Sequence, residues 1–122
     1  APAGPEFQVN DYAPGNQKYA DVAAFPGGGF VIVWQGTGSD LTDGIWGRRY
    51  DAAGAAVGPA FRVSVYDDPA WWVPKVATWE GGGFVVVWTS DEQDGTTNSV
   101  YGQRFNGDGT ICPVGEIVTP AE

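Results

Sequence analysis

The chain has 122 residues, with 15 Asp and Glu against 6 Lys and Arg, which gives a formal net charge of −9. This length fits one compact domain, and the negative charge repels phosphate backbones and anionic lipid headgroups. No apolar run approaches the roughly 20 residues needed to span a bilayer, so we expect neither nucleic-acid binding nor membrane insertion. The 19 Gly, 9 Pro and 14% aromatic residues are typical of a turn-rich, all-β protein.

The sequence contains an internal repeat. GGGFVIVW at 27–34 returns as GGGFVVVW at 81–88, and IWGRRYDAAG at 45–54 is matched by VYGQRFNGDG at 100–109. The first pair is offset by 54 positions and the second by 55. A self-similarity of this extent indicates a duplicated supersecondary unit. We therefore predict a single domain, 1–122, made of two repeats at about 7–60 and 61–119.

Each repeat contains four short segments with strand character. In chain order they are 21–25, 30–34, 45–50 and 60–64 in the first repeat, and 75–79, 84–88, 100–105 and 115–119 in the second. PGGG and EGGG predict tight hairpins, while DAAG and NGDG supply the Asx and Gly residues that turns need. FQVN at 7–10 matches the fourth strand of the first repeat. It predicts an extra N-terminal strand near 6–10, which could pair with a neighbouring chain's edge.

The polarity of the four segments changes in order along each repeat. The first is built from small residues, the second is apolar on both faces, and the fourth is polar on one face. The third alternates, with Trp46 and Tyr50 on one face and Arg49 on the other. The residues thus change from small ones, suited to a crowded inner strand, to polar ones on an outer strand. This order predicts a four-stranded antiparallel blade of the β-propeller type. The chain would then hold two blades.

Two blades cannot close a propeller. They would leave an apolar face, with residues such as Phe30, Ile32 and Trp34, open to water. Head-to-tail association covers such a face and gives either a ring or a filament. We therefore predict a homo-oligomer that completes the propeller, with three chains supplying six blades or four chains eight.

The pattern EFQVN…VAAF-x-GGGFV-VW…GIWGRRYDAAG resembles a repeat found in tandem in large secreted bacterial proteins of the RTX and calcium-dependent adhesin type. The stretch GGFVVVW…VYGQRF…DGT, within 82–110, is its most specific part. The resemblance implies blade-like repeats and a secreted, extracellular location, with the bacterial cell surface as one setting. In architecture alone, the chain looks like small two-blade lectins that assemble into propellers and hold sugars between blades.

Catalysis finds little support in the sequence. There is no His, which removes Ser–His and Cys–His nucleophile pairs and imidazole metal ligands. The Gly-rich hairpins lack the helix and Lys of a phosphate-binding loop. We predict that the protein is not an enzyme.

Exposed aromatic residues beside Arg provide the candidate ligand site, because flat rings stack on sugars and guanidinium groups make forked hydrogen bonds. The connector YDDPAWWVP holds two consecutive Trp, Trp79 ends a strand, and each third strand pairs an aromatic residue with an Arg. The candidates are Trp46, Arg49, Trp71, Trp72, Trp79, Tyr101 and Arg104. The alternative is that these residues pack the seams between blades or subunits.

Two acidic loops, GTGSDLTDG and SDEQDGTTN, are candidate Ca²⁺ sites, since Ca²⁺ takes six to eight oxygen ligands. Their carboxylates are Asp40 and Asp43 in the first loop, and Asp91, Glu92 and Asp94 in the second. Ordinary solvated turns are the alternative. Apart from Ca²⁺ no cofactor is predicted. The sequence thus favours a non-enzymatic, extracellular, lectin-like propeller module that binds glycans; the alternative is a self-assembling structural or adhesive subunit.

Overall fold

A computed structural model of the protein describes residues 4–10, 17–37, 43–64, 73–90, 99–107 and 111–119, and of these, residues 43, 90, 99 and 111–119 by their backbone alone. This part of the chain is all-β and contains no helix. No helix in it could therefore cross a membrane. The predicted fold class is confirmed at this level.

The eight strands form two four-stranded antiparallel sheets, one for each repeat. Neighbouring strands in each sheet are consecutive in the chain, so each sheet is a simple meander. Sheet A contains β1 (Lys18–Ala24), β2 (Phe30–Thr37), β3 (Asp43–Tyr50) and β4 (Phe61–Arg62), and sheet B contains β5 (Lys75–Thr78), β6 (Phe84–Ser90), β7 (Ser99–Phe105) and β8 (Ile111–Thr119).

Glycines close the hairpin between β1 and β2 as predicted. Gly28 N–H donates to the Phe25 carbonyl oxygen at 3.0 Å, and Phe25 N–H donates to the Gly29 carbonyl oxygen at 3.0 Å. Gly28 and Gly29 have φ of 103° and 84°, which side-chain-bearing residues rarely adopt. The same two bonds recur between Trp79 and Gly82 and between Trp79 and Gly83 in sheet B, so the repeat in sequence is a repeat in backbone.

The two sheets pack face to face along a contact that we call the seam. Sheet A contributes Val31, Val33 and Ile45, and sheet B contributes Phe84 and Val86, all fully buried. Around them lie Val63, Trp88, Tyr101 and Phe105. The Phe25 and Phe61 rings of sheet A lie 6.0 and 6.1 Å from the Phe84 ring. The core of the described chain therefore lies between the repeats, and each sheet has a second face that the other does not cover.

Polar contacts also cross the seam between the first strands of the two sheets. Asp21 Oδ2 accepts a hydrogen bond from the backbone N–H of Val76 at 2.9 Å, and Thr78 Oγ1 donates to the Ala24 carbonyl oxygen at 2.6 Å. These bonds fix which residues of β1 lie beside which residues of β5.

The N-terminal segment differs from expectation. Residues 6–10 form no strand within the chain. They are held by side chains instead: the Phe7 ring lies 5.3 Å from the Tyr50 ring, and Arg48 Nη1 donates to the Val9 carbonyl oxygen at 3.1 Å. The predicted pairing of this segment with the edge of a neighbouring chain remains a prediction.

Two further expectations need correction. β4 has two residues rather than five, although Val63 N–H still donates to the Ile45 carbonyl oxygen at 2.7 Å. The small residues of the first strand predict a crowded position, but Val22 points away from the seam and is 58% exposed.

Candidate binding cleft at the seam

A cleft of about 430 Å³ opens at the end of the seam where the hairpin turns of the two sheets meet. Its polar side chains are Arg49, Asp51 and Glu80. The rest of the wall is Phe25, Pro26, Gly27, Gly28, Tyr50, Val57, Gly81, Gly82 and Gly107. A cleft between two units, with apolar and backbone walls and a few polar side chains, is a common form of small-molecule site.

Glycines let the turns beside this cleft approach the third strands closely. A Cβ at Gly29 would lie 2.6 Å from the Tyr50 carbonyl oxygen, and one at Gly107 would lie 2.6 Å from the Gly82 carbonyl oxygen. Both distances are shorter than real Cβ contacts, so a side chain at either position would push the turns apart. The absence of side chains leaves backbone groups and open space at this end of the seam.

Arg49 crosses the cleft. It lies on β3, and its Nη1 donates to the Gly107 carbonyl oxygen of the other repeat at 3.1 Å. The contact is exposed to solvent, and Arg49 also lines the cleft. Of the third-strand Arg residues singled out in the sequence, this one is part of the cleft.

Asp51 and Glu80 were not among the predicted site residues. Asp51 Oδ1 accepts from the backbone N–H groups of Ala53 and Ala55, each at 2.9 Å, which fixes the turn after β3. Glu80 is exposed in the hairpin between β5 and β6. Asp51 follows β3 and Glu80 follows β5, and these two strands end at the same edge of the seam. Apart from this position just after a strand, no signal in the sequence marks either residue.

Trp79 stands beside the cleft. Its ring packs over Gly81 and Gly83, and a Cβ at Gly81 would lie 3.5 Å from Trp79 Cδ1. The side chain is 38% exposed. One side of the indole thus rests on the glycine turn, and the residue as a whole is partly exposed to solvent.

The other predicted ring–guanidinium pairs are not brought together. Trp46 is buried, and the guanidinium over its ring, 5.8 Å from the centroid, belongs to Arg62 rather than Arg49. Tyr101 is buried on the seam side of β7, while Arg104 lies on the opposite face. Because residues that differ by an odd number in a strand point to opposite faces, neither Trp46 with Arg49 nor Tyr101 with Arg104 can form one surface.

Several predicted residues lie outside the described part of the chain. These are Trp71 and Trp72 of the connector and Asp40, Asp91, Glu92 and Asp94 of the acidic loops. Asp43 is the first residue of β3 and is described by its backbone alone. The residues that are described contain no group of three or more His, Cys, Asp or Glu side chains placed to hold a metal ion.

No protein-family model, no curated protein and no solved structure matches the chain.

Proposed function

We propose that the protein is a non-enzymatic, lectin-like module that binds neutral carbohydrate in the cleft at the seam. The observation that carries this proposal is the convergence of Arg49, Asp51 and Glu80 in one cleft beside the partly exposed Trp79. Carbohydrates need a planar apolar surface for their C–H face and charged or amide groups for their hydroxyls, and this cleft supplies both.

The charged groups of the cleft set the expected ligand. Its walls carry one guanidinium and two carboxylate groups, so it suits a neutral polyhydroxylated ligand better than a phosphate or sulfate ester. The open form and the small number of polar groups predict weak binding at a single site. An oligomer would gain affinity from several such sites acting together.

Tryptophan fluorescence and calorimetry test the proposal. Neutral mono- and oligosaccharides should change the emission of the protein and give saturable heat, and Arg49→Ala should weaken binding. Arg48→Ala is the matched control, because Arg48 is the next residue of β3 and makes its hydrogen bonds, to Gly58 and Val9, on the other side of the sheet. Equal binding by both variants, or no saturable binding across a panel of glycans, would rule out this cleft as the site.

The connector is a second test within the same proposal. If Trp71 and Trp72 contribute to the ligand surface, their joint replacement by Ala should abolish the fluorescence response while the protein keeps its melting temperature. Dissociation or unfolding of that variant would instead assign both rings to packing.

A second candidate function is a self-assembling structural or adhesive subunit. It is favoured by the exposed apolar side chains Val87 and Val100 on the uncovered face of sheet B. Discrete rings in electron micrographs would support a propeller, and open filaments would support a scaffold. For either function we propose a secreted, extracellular location, and Ca²⁺ binding by the two acidic loops remains part of the proposal.

A further inference from the structure

We propose that the uncovered face of sheet B docks onto the uncovered face of sheet A in a second copy of the chain, so that the seam is repeated between chains in a head-to-tail order. We call the uncovered face of sheet B the trailing face; it contains Val85, Val87, Val100 and Arg104. We call the uncovered face of sheet A the leading face; it contains Val22, Phe30, Ile32 and Tyr50. This inference does not depend on carbohydrate binding; it gives the second candidate function its interface.

The trailing face repeats a surface that the chain itself buries. In the sequence repeat, Val33 corresponds to Val87 and Ile45 corresponds to Val100. Val33 and Ile45 are 0% exposed at the seam, whereas Val87 is 38% and Val100 41% exposed. β-branched aliphatic residues therefore occupy the same strand positions in both sheets. They are buried in sheet A and exposed to solvent in sheet B.

The leading face repeats the face of sheet B that packs against sheet A at the seam. The Phe84 and Phe105 rings stack at 4.9 Å and 8° beneath sheet A, and their counterparts Phe30 and Tyr50 stack at 5.0 Å and 9°. Phe84 is fully buried, whereas Phe30 is only half-buried. Tyr50 and Trp34 on the same face are buried within the single chain, Tyr50 beside the Phe7 ring. Val22 pairs with Ile32 on this same face and is largely exposed. The receiving surface is thus built a second time, without a second sheet to cover it.

The N-terminal segment marks where that second sheet would lie. At the seam, Phe61 approaches the Phe105 ring at 5.5 Å and 52°. On the leading face, Phe7 approaches the Tyr50 ring at 5.3 Å and 50°. Phe7 corresponds to Phe61 in the sequence repeat, so its ring occupies on the leading face the place that a fourth-strand residue of the covering sheet takes at the seam. Docking therefore requires β8 of the second copy to displace residues 6–10 from this place.

Arg104 supplies an independent polar argument. Its counterpart Arg49 donates across the seam to the Gly107 carbonyl oxygen, and Gly107 corresponds to Ala52 of the first repeat. Within the described chain Arg104 Nε is buried and has no hydrogen-bond partner, and such groups cost stability unless they are paired. Docking of the trailing face would bring Arg104 toward the Ala52 carbonyl oxygen of the second copy, where its guanidinium gains an acceptor.

These observations indicate a second copy of the chain as the partner, because each uncovered face matches a surface that the chain itself provides at the seam. The two faces differ from each other, so the contact is heterologous and each copy uses one leading and one trailing face. A symmetric, isologous dimer would instead pair one face with itself, and it would leave the other face exposed.

Two variants test the order of docking. Val87→Glu places a charge on the trailing face, and Val22→Glu places one on the leading face; both positions are exposed in the single chain, so the fold should tolerate them. Light scattering should show an oligomer for the unchanged protein and a folded monomer for each variant. An equimolar mixture of the two should form a dimer, because Val87→Glu keeps an intact leading face and Val22→Glu an intact trailing face. Val57→Glu is the matched control for oligomerisation: Val57 has nearly the same exposure as Val87, but it lines the cleft and belongs to neither face, so this variant should remain oligomeric.

Each outcome bears on the proposal directly. A monomeric unchanged protein at micromolar concentration, oligomers of either Glu variant, or a mixture that stays monomeric would each overturn it. Near-UV circular dichroism checks that the variants are folded, and Val87→Ala and Val22→Ala, which should weaken association without abolishing it, serve if a Glu variant unfolds. Because neither Val22 nor Val87 lines the cleft, failure of these two variants to give the expected result leaves the carbohydrate proposal untouched.

Discussion

Arg49 Nη1 and the Gly107 carbonyl oxygen lie 3.1 Å apart and join the third strand of sheet A to the turn that follows the third strand of sheet B. We expect Arg49→Ala to lower the free energy of unfolding by about 0.5–1.5 kcal/mol, because the bond is exposed and its loss returns both groups to water. Urea denaturation of dilute protein measures the change. Arg104→Ala is the control: it removes no hydrogen bond of Nε within the chain, so an equal loss would contradict the bridging role of Arg49.

Asp21 holds the first strands of the two sheets together through the backbone N–H of Val76. Asp21→Ala leaves that half-buried donor without its acceptor, and we expect a loss of about 1–3 kcal/mol in the free energy of unfolding. Asp21→Asn keeps an acceptor oxygen and should lose less. Thermal unfolding of the two variants side by side decides the point, and equal losses would mean that the charge rather than the hydrogen bond matters.

Trp88 is 2% exposed and belongs to the core at the seam. Its replacement by Ala should lower the free energy of unfolding by about 3–5 kcal/mol, the usual cost of emptying a large aromatic site. Chemical denaturation followed by circular dichroism measures it. Val57→Ala, an exposed position, should change stability by less than about 0.5 kcal/mol. A mild effect of Trp88→Ala would show that the seam is not the main core.

Gly29 provides a backbone test. Its φ is 84°, and a Cβ at this position would lie 2.6 Å from the Tyr50 carbonyl oxygen, so both the backbone and the available space disfavour a side chain. Gly29→Ala should cost about 1–2 kcal/mol or more from the left-handed backbone alone. Gly27→Ala, in the same turn, meets no atom within 4 Å and has no positive φ, and it should melt close to the unchanged protein. A reversed order of the two melting temperatures would contradict the described turn.

Calcium binding by the acidic loops can be tested by thermal unfolding. If Asp40 and Asp43, or Asp91, Glu92 and Asp94, bind Ca²⁺ in the folded protein only, millimolar Ca²⁺ should raise the melting temperature, and a chelator should reverse the shift. Mg²⁺ at equal ionic strength is the control for charge screening. An unchanged melting curve would leave these loops as solvated turns.

The strands were predictable because their signals are local. The second strands are continuous apolar runs, glycine turns bound them, and the duplicated pattern supports each assignment twice. The ends were less predictable: β3 begins at Asp43 and β8 at Ile111, both before the residues that the pattern indicated. Ladder hydrogen bonds extend a strand beyond its apolar core wherever a partner strand is present, and the partner is not visible in the local sequence.

The candidate site was less predictable, because it depends on contacts between repeats. Alternation along β3 separated the faces of Trp46 and Arg49 correctly, but it did not show that Arg62 would lie over the Trp46 ring. Glu80 and Asp51 line one cleft only because the two sheets pack against each other. Such proximity is a property of the seam, whereas composition and spacing describe one repeat at a time.

The bonds that Asp21 and Thr78 make across the seam have no equivalent elsewhere in the sequence repeat. Lys75 stands at the position of Asp21, and its ammonium cannot accept from a backbone N–H, while Ala24 stands at the position of Thr78 and has no hydroxyl. A ring of docked copies would therefore alternate two kinds of sheet–sheet contact. The contact inside each chain has these two hydrogen bonds, and the contact between chains lacks them. Dilution or mild denaturant would open the second kind first, and subunits could exchange between rings as intact, folded pairs of sheets.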